Sequence, residues 1–585
     1  MDKAYVSPGN LVNILRNREL NFQKPNTTYL KKRQLYQHVY PNHTLYNIAI
    51  STCIFLKRFT PDGKHLVCFS RNQHALQLYT FLGPCSPKKP DNESPEAESG
   101  AIFQQFFSLK YEKILTFDPA ELLCKDFCLV TSNQKHLILA SACPSTASSA
   151  EACRYPSSLN CMANLDDITF YVMEIESGKI CDRKTFKSDF IYLSHHSGVS
   201  LYGQFFAITS LQNQCIHVFQ IKENGTFVGL RTIGWYNYDD DELELAKYEE
   251  FNEQFETRQR SHSAPPDAEW HGRAGIDLSR TLSLGSSTRL EVPSLSHRDP
   301  SLVDNPDEQS ILFDDFKHTQ PPLSGFKHRL LAYLYKKAKS VDDNGMALQN
   351  FYLTFSQFES LVLWKAQFLD ETHLLVKLSS VECVTGRNTE GTNQTAFFVV
   401  YNIDTTMIIA LYENTSEELL SLFEHHSESF RGPNYNEPAN LNWTWSNNAF
   451  ARLILKKQQY AVRNARNGGP SQAVKRVLAA LPYSPQSFSE SPYFDPSLFS
   501  YDEKAISASD RPKPCQDFPI KFYLRSTGEL KFKINTNVPN RGGSRVSKRY
   551  ATFIVHPDQP FMISLQHTLM QPTVVNFHVR SGEVE

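Results

Sequence analysis

The sequence lacks the long apolar runs and the charge excess that would mark a membrane protein or a polyanion binder. No stretch approaches about 18 uncharged apolar residues, the length that a membrane-spanning helix needs. The first residues, MDKAYVSPGNLVNIL, show no apolar core followed by a small-residue cleavage site, so we expect neither secretion by this route nor a membrane span. The net charge of −2 excludes a global field, so any contact with a polyanion must be local.

Enzyme signatures are missing as well. The sequence contains no G-x-S-x-G motif, no Walker loop, no H-E-x-x-H motif and no Rossmann glycine fingerprint. Adjacent strand residues point to opposite faces, so His195 and His196 are poorly placed to share one metal. The pair His425-His426 falls at a polar helix end. We therefore expect a non-catalytic protein with no metal and no cofactor.

Cysteine is present at an ordinary level, with 12 residues and no C-x-x-C knuckle of the kind that zinc sites use. Cys124 and Cys128 fall in LLCKDFCLV, a strand-like segment in which both are predicted to face the same side as small hydrophobic residues. In a reducing compartment these cysteines are expected to be thiols.

A strand pattern occurs near both ends of the chain. Residues 55–81, FLKRFTPDGKHLVCFSRNQHALQLYTF, and residues 552–579, TFIVHPDQPFMISLQHTLMQPTVVNFHV, both have the order strand, Pro-Asp turn, strand, polar gap, strand. Such a repeat cannot bury both of its faces alone and must stack against neighbouring repeats. Matching first and last copies therefore predict a β-propeller whose two ends meet.

Further hairpins recur between these two copies. Their predicted turns lie at Ser177-Gly178, Asn224-Gly225, Asp404-Thr405 and Thr527-Gly528, each between two hydrophobic segments. Removing the arm, insertions and loops leaves about 280 residues, which at about 42 per blade corresponds to between six and seven blades. The predicted fold is all-β with helical insertions, a WD40-like propeller with seven blades, or eight as the alternative.

Three segments interrupt the strand pattern. Residues 236–322 are acidic and then rich in Ser, Arg and Pro, a composition typical of disorder. Helical spacing over 326–367 places Leu330, Leu331, Leu334 and Tyr335, then Phe351, Phe355, Phe358 and Val362, on one face. Residues 415–510 contain a helix start at Ser416-Glu417-Glu418 and two further helices separated by Gly-Gly-Pro. The resulting domain prediction is an N-terminal arm (1–44), propeller (45–235), disordered insertion (236–322), helical insertion (323–367), propeller strands (368–414), helical insertion with a basic helix (415–510) and closing blade (511–585).

The second helical insertion segregates positive charge. Residues 438–489 contain no Asp or Glu but include seven Lys and Arg. Four of these cations lie near one another on one predicted helix: Arg452, Lys456, Arg463 and Arg466. This cluster is interpreted either as a solvated amphipathic face or as a dock for an acidic protein surface or nucleic acid, although it has few aromatic residues for stacking on bases.

The N-terminal arm has a different character. Leu11, Ile14, Leu15 and Arg18 fall on one helical face of LVNILRNREL, which lies outside the first blade. Such a face suits docking in an apolar groove of a partner. The alternative is a short helix packed on its own propeller.

Several strings of the sequence together resemble the De-etiolated-1 family. They follow one another in order over almost the whole chain: residues 55–70, 216–234, FKHRLLAYLY at 326–335, 397–424, SNNAFAR at 446–452, SPYFDPSLFSYDEK at 491–504 and VVNFHVR at 574–580. The insertion between Trp235 and Ser324 and the loop from Cys143 to Cys161 do not match the family pattern well, and no function is carried onto them.

The resemblance implies a nuclear, non-catalytic scaffold or substrate-receptor subunit of a cullin-4 RING E3 ubiquitin ligase. The partners it implies are the adaptor damage-specific DNA-binding protein 1, a small adaptor-associated subunit, the RING protein constitutive photomorphogenic 1 and an E2 ubiquitin-conjugating enzyme. The alternative function is a chromatin-associated transcriptional repressor that contacts histones or DNA directly, through Lys31-Lys32-Arg33 and the 452–476 cluster. Steep loss of affinity with salt would distinguish the second function from apolar docking on the adaptor.

Overall fold

The computed structural model describes a defined part of the chain. The described residues are 36–48, 50, 54–83, 102–145, 159, 165–193, 198–236, 325–341, 345–384, 396–426, 430, 460, 463–464, 468–479, 481–482, 493, 499–500, 513–514, 520–524, 527–534, 550–557, 559–567 and 574–580. The predictions for residues 1–35 and, apart from Tyr236, for 236–322 lie outside these ranges.

The described residues form six antiparallel sheets, numbered here I to VI along the chain. Sheet I contains β2 (Ile54–Phe59), β3 (His65–Ser70), β4 (Ala75–Phe81) and β5 (Phe107–Ile114). Sheet II contains β6 (Leu122–Leu123), β7 (Leu129–Val130), β8 (His136–Pro144), β9 (Asp166–Glu174) and β10 (Ile180–Asp189). Sheet III contains β11 (Val199–Tyr202), β12 (Phe205–Ser210), β13 (Cys215–Ile221) and β14 (Phe227–Gly234).

Sheet IV also has its strands in chain order, whereas sheet VI places the N-terminal strand beside the last strand. Sheet IV contains β15 (Leu361–Phe368), β16 (His373–Ser380), β17 (Phe397–Asn402) and β18 (Ile408–Glu413). Sheet V contains β19 (Phe499–Ser500), β21 (Ile520–Leu524) and β22 (Leu530–Ile534). Sheet VI contains β20 (Lys513–Pro514), β23 (Tyr550–Val555), β24 (Met562–His567), β25 (Val574–Val579) and the N-terminal β1 (His43–Leu45).

The hairpin turns lie where the sequence predicts them. Gly178 and Gly225 have φ of 65° and 81°, and Gly528 has φ of 75°, so each takes the left-handed conformation that favours glycine. The turn between β2 and β3 is held by Thr60, whose hydroxyl donates to the carbonyl of His65 and accepts from its amide. Thr131 and His136 repeat this arrangement between β7 and β8. The predicted hairpin turns are therefore confirmed at these glycines.

Inner strands of the sheets are buried on both faces. In β8, Leu137 and Leu139 pack toward sheet I, whereas the alternate residues Ile138 and Ala140 pack toward sheet III. Successive strand residues point to opposite faces, so one apolar run supplies both neighbouring seams. This stacking of sheets gives a β-propeller.

The two ends of the chain meet in this arrangement. β1 pairs with β25, with His43 opposite Val579 and Leu45 opposite Phe577. Sheets I and VI share a cluster in which the rings of Phe59 and Phe561 lie 6.1 Å apart. The predicted adjacency of the first and last copies is confirmed, while the blade number of seven stays a prediction.

Helices pack against both faces of sheet IV. The helices are α1 (Gly325–Val341), α2 (Met346–Glu359), α3 (Val381–Val384), α4 (Glu417–His425) and α5 (Pro470–Leu478). The predicted helix start is confirmed at α4, where the hydroxyl of Ser416 accepts from the amide of Leu419. Leu375 and Phe398 of the sheet pack with apolar residues of α4 and α5.

Several predicted boundaries differ from the structure. β15 begins at Leu361, inside the range 326–367 that the spacing predicts as helical. Val362, assigned to the helical face, instead pairs with Ser379 because the segment gains a full strand ladder in sheet IV. β1 extends the propeller into the predicted arm, and β19 lies inside the predicted insertion 415–510. These short strands depend on distant partners, which local spacing cannot reveal.

The prediction that Cys124 and Cys128 share one side is wrong. A turn in which the amide of Phe127 donates to the carbonyl of Cys124 separates β6 from β7. Cys124 consequently packs toward the seam between sheets II and III, and Cys128 toward the seam between sheets I and II. Both act as small apolar residues, as expected.

Candidate protein-interaction surface

Helix α2 exposes more apolar surface than its composition would suggest. Eight of its fourteen residues are apolar or aromatic, yet Phe351 is the one buried among them. Leu353 is 72% exposed, Met346 67% and Tyr352 62%, and Phe355 is also exposed. Large apolar side chains exposed together on one helix commonly mark an interaction site.

Helix α1 fixes this region to the propeller. The ring of Phe326 stacks on Trp235 at 5.8 Å and lies 5.3 Å from Tyr401, which joins α1 to sheets III and IV. Leu330 is fully buried in the same cluster, one helical turn further on. Leu330 and Leu334 of the predicted helical face pack in this cluster, whereas Tyr335 of that face is exposed and contacts α2.

Gly325 permits the close approach at the start of α1. Its φ is +79°, and a Cβ there would lie 2.9 Å from the carbonyl oxygen of Trp235. The amide of Lys327 donates to that same carbonyl at 3.1 Å. A larger residue would have to move the chain that carries the stacked Trp235 and Phe326.

Two aromatic contacts hold α2. The rings of Phe351 and Tyr335 of α1 lie 6.0 Å apart, and Phe358 lies 5.2 Å from Phe397 of sheet IV. The helix is thus anchored on one side by residues 351 and 358. The exposed side chains Met346, Tyr352, Leu353 and Phe355 are left on a supported helix.

Positive charge is concentrated near the end of α1, the helix that contacts α2. Lys336, Lys337 and Lys339 are exposed near the end of α1, and no Asp or Glu occurs within that helix. The acidic residues nearby in sequence are Asp342 and Asp343, outside the described residues, and Glu359 at the end of α2. We name the three lysines together with Met346, Tyr352 and Leu353 the hairpin surface.

The residues selected from sequence fall mostly outside the described ranges. These are Leu11, Ile14, Leu15, Arg18, Arg452, Lys456 and Arg466. Arg463 is described and exposed, as either interpretation of the basic cluster requires. Sequence reasoning missed the hairpin surface because it considered only the helical face of Phe351, Phe355 and Phe358. The available signal was the absence from α2 of Lys and Arg, whose long side chains can cover apolar surface.

Two buried titratable groups lie in the sheets and not in this surface. Burial lowers the pKa of Lys377 to about 8, and its Nζ lies 4.5 Å from the centre of the Trp364 ring. Burial lowers the pKa of His578 to about 4, and its two ring nitrogens lie 3.0 Å from the hydroxyls of Thr44 and Ser564. Both groups belong to sheet packing.

Within the described ranges, no three His, Cys, Asp or Glu side chains are grouped in a way that could hold a metal ion. None of the described helices combines the length and apolar character needed to cross a membrane.

The stacked sheets, with the N-terminal strand added to the C-terminal sheet, define a WD40-like β-propeller that carries an exposed apolar helix hairpin. A sequence profile for the family described as De-etiolated protein 1, Det1, matches residues 125–581. The Light-mediated development protein DET1 of Arabidopsis thaliana is 33% identical over 583 residues, covering 98% of this chain and 99% of the relative. The protein of the same description from Solanum lycopersicum is 33% identical over 586 residues, with the same coverage. The chain belongs to the De-etiolated protein 1 family.

Solved propellers also resemble the chain. The β-propeller domain of Myceliophteria thermophila Cps50 (Swd1) has a TM-score of 0.31 at 10% identity, covering 92% of this chain and 99% of that chain. The WD40 repeats of RRP9 have a TM-score of 0.27 at 7% identity and the same coverage. Because these TM-scores are low, the description of the fold rests on the sheets of the chain itself.

Proposed function

We propose that the protein is a non-catalytic scaffold subunit of a nuclear cullin-4 RING E3 ubiquitin ligase that promotes ubiquitination of regulatory proteins. Membership of the De-etiolated protein 1 family supports this assembly over other uses of a propeller. The observation that carries a scaffold role is the hairpin surface, a set of exposed apolar and basic side chains on two helices that are anchored to the sheets. The curated relatives are described as light-mediated development proteins, which is consistent with a regulatory role.

A scaffold contributes to ubiquitin transfer through proximity. Transfer requires a substrate lysine and a charged E2 enzyme to be held near each other, and orientation alone can supply a large part of the rate. A propeller offers several separate surfaces on one rigid body. The protein would join the adaptor damage-specific DNA-binding protein 1 and its small associated subunit to the E2 and to the RING protein constitutive photomorphogenic 1.

The N-terminal arm is the proposed dock for the adaptor. Leu11, Ile14 and Leu15 share one face of a helical pattern, which suits helix-in-groove binding. The arm enters the propeller at Tyr36, whose ring lies 5.6 Å from Tyr493 between sheets V and VI.

Purification of the tagged full-length protein from nuclei, at low and high salt, tests this function. We expect the adaptor at a stoichiometric level and resistant to salt, because apolar docking is insensitive to ionic strength. Substituting Leu11, Ile14 and Leu15 with Asp should release it, since burying a charge in an apolar groove costs several kcal/mol, roughly a thousandfold in affinity.

The matched control places three Asp on the polar side of the same segment, at Asn10, Asn13 and Asn17, and should retain the adaptor. Full adaptor binding by the Leu11, Ile14 and Leu15 variant would reject the arm as the dock. Recovery of DNA or histones in place of the adaptor would reject the ligase function itself.

A further inference from the structure

We infer that the hairpin surface binds an acidic amphipathic helix of a partner protein. The inference deepens the proposed function and rests on it for the statement that this partner belongs to the ligase or its clients. The chemical class of the partner, however, follows from α1 and α2 alone.

The exposed apolar residues of α2 would form the centre of the contact with the partner helix. Met346 and Leu353 are seven residues apart and so lie on one face, where they extend over about 10 Å of helix at 1.5 Å per residue. That length matches about two turns of a second helix packed alongside. Tyr352 supplies a rigid ring and Leu353 an aliphatic anchor, the kinds of side chain that fill pockets between packed helices. Phe355 lies toward the anchored side, where its ring is 5.9 Å from that of Phe351.

Anchoring of α2 explains why these side chains stay available. Phe351 and Phe358 already use the side of α2 that meets α1 and sheet IV. Leu353 lies between these two positions in sequence but on the opposite side of the helix, where it is 72% exposed. A partner helix can therefore cover Leu353 without displacing a contact that the fold needs.

The charge of α1 selects the partner. Lys336, Lys337 and Lys339 are exposed and have no carboxylate within their own helix. A helix with Asp or Glu flanking its apolar face would pair with them, whereas a basic helix would be repelled. Nucleic acid is less well matched, because α2 carries no Lys or Arg to meet a phosphate backbone beside its apolar side chains.

The probe for this site is a fluorescein-labelled designed peptide of about 18 residues, or five helical turns. It carries Leu at i, i+3, i+4 and i+7, and all of its charged residues are Glu. A control peptide has Lys in place of each Glu. Anisotropy with the full-length chain should show the acidic peptide binding at least about tenfold more tightly than the basic one. Added salt should weaken the binding of the acidic peptide.

Two sets of variants locate the binding. The double variant Tyr352→Ser, Leu353→Ser should weaken the acidic peptide by about tenfold or more, while Phe117→Ser, at an aromatic side chain 86% exposed elsewhere, should not change it. Changing Lys336, Lys337 and Lys339 to Glu should reduce both affinity and its salt dependence. Changing the exposed Lys135, Lys179 and Lys222 to Glu alters net charge equally and should leave both unchanged.

Equal binding of the two peptides, or equal losses in the control variants, would overturn the inference. So would sedimentation showing a wild-type dimer that the Tyr352→Ser, Leu353→Ser variant dissolves, because the occupant would then be a second copy of the chain. Unfolding midpoints of all variants should match the wild type, which separates lost binding from lost folding. The adaptor purification is independent of this result, so the failure of either idea can be told from the failure of the other.

Discussion

The imidazole of His556 lies directly against Gly63, with Nε2 2.9 Å from the Gly63 carbonyl oxygen. The ring also lies 4.9 Å from that of Phe59 and 4.8 Å from that of Phe81. His556 follows β23 in the last sheet, and Gly63 forms the turn between β2 and β3 in the first. This contact therefore joins residues 493 positions apart at the place where the chain ends meet.

Replacing Gly63 with Ala should destabilise this junction. Gly63 has φ of +71°, and an added Cβ would lie 2.3 Å from the His556 ring. We expect a loss of at least about 2 kcal/mol, measured by urea unfolding, from strain and the displaced imidazole together. Gly528→Ala is the matched control, because Gly528 has φ of +75° with nothing within 4 Å of an added Cβ. Equal losses in the two variants would show that the contact with His556 contributes nothing.

Acid should loosen the pairing of β1 with β25 through His578. Burial lowers the pKa of His578 to about 4, so below its ordinary pKa of 6.5 the unfolded chain binds a proton that the folded chain does not. The contribution of His578 to the free energy of unfolding is therefore fully present above about pH 6.5. It falls by about 3 kcal/mol in all as the pH drops toward 4. The His578→Leu variant should be less stable than the wild type at every pH, but its urea midpoint should depend less on pH across this range. His38→Leu, at an exposed histidine, should keep the wild-type slope, and an unchanged slope in His578→Leu would contradict the assignment.

Replacing Lys377 with Met should stabilise the protein at neutral pH. Burial lowers the pKa of this lysine from 10.5 to about 8, so the folded state binds fewer protons than the unfolded state between these values. Wild-type stability should therefore rise as the pH increases from 8 to 10.5, and the variant should lack this rise. At pH 7 we expect a gain of up to about 3 kcal/mol in unfolding experiments, reduced by the lost cation–π contact with Trp364. Lys365→Met, at a half-buried lysine on the facing strand, should give no comparable gain, and destabilisation by Lys377→Met at pH 7 would refute the expectation.

Removing residues 237–322 and closing the gap with a short linker should leave the fold intact. The two ends are already adjacent, since the amide of Lys327 donates to the carbonyl of Trp235. Loop-closure free energy changes only logarithmically with length, so the thermal midpoint should stay within about 2 °C. In the same shortened chain, Phe326→Ala should lower stability by about 3 kcal/mol or more because it removes the ring stacked on Trp235. A large fall in the midpoint on deletion alone would show that the removed segment supports the propeller.

Local signals were sufficient for the strands, hairpins and helix starts. Gly178 and Gly225 take positive φ at the predicted turns, and Ser416 caps α4 as its sequence predicts. Each of these features depends on the conformational preferences of a few neighbouring residues, which are written in the sequence itself. The resemblance to the De-etiolated-1 family likewise needed only the order of the strings along the chain.

Other features were decided by residues far apart in sequence. Leu361 begins a strand and not another helical turn because β16 offers it a partner ladder, and His43–Leu45 become a strand because β25 lies beside them. Phe355 and Leu353 have the same apolar chemistry as Phe351, yet only Phe351 meets Tyr335. The sequence by itself determined the local elements and the family, since these follow from nearby residues. The tertiary structure decided which apolar faces found partners, and so left the hairpin surface exposed, because burial depends on what the fold brings alongside.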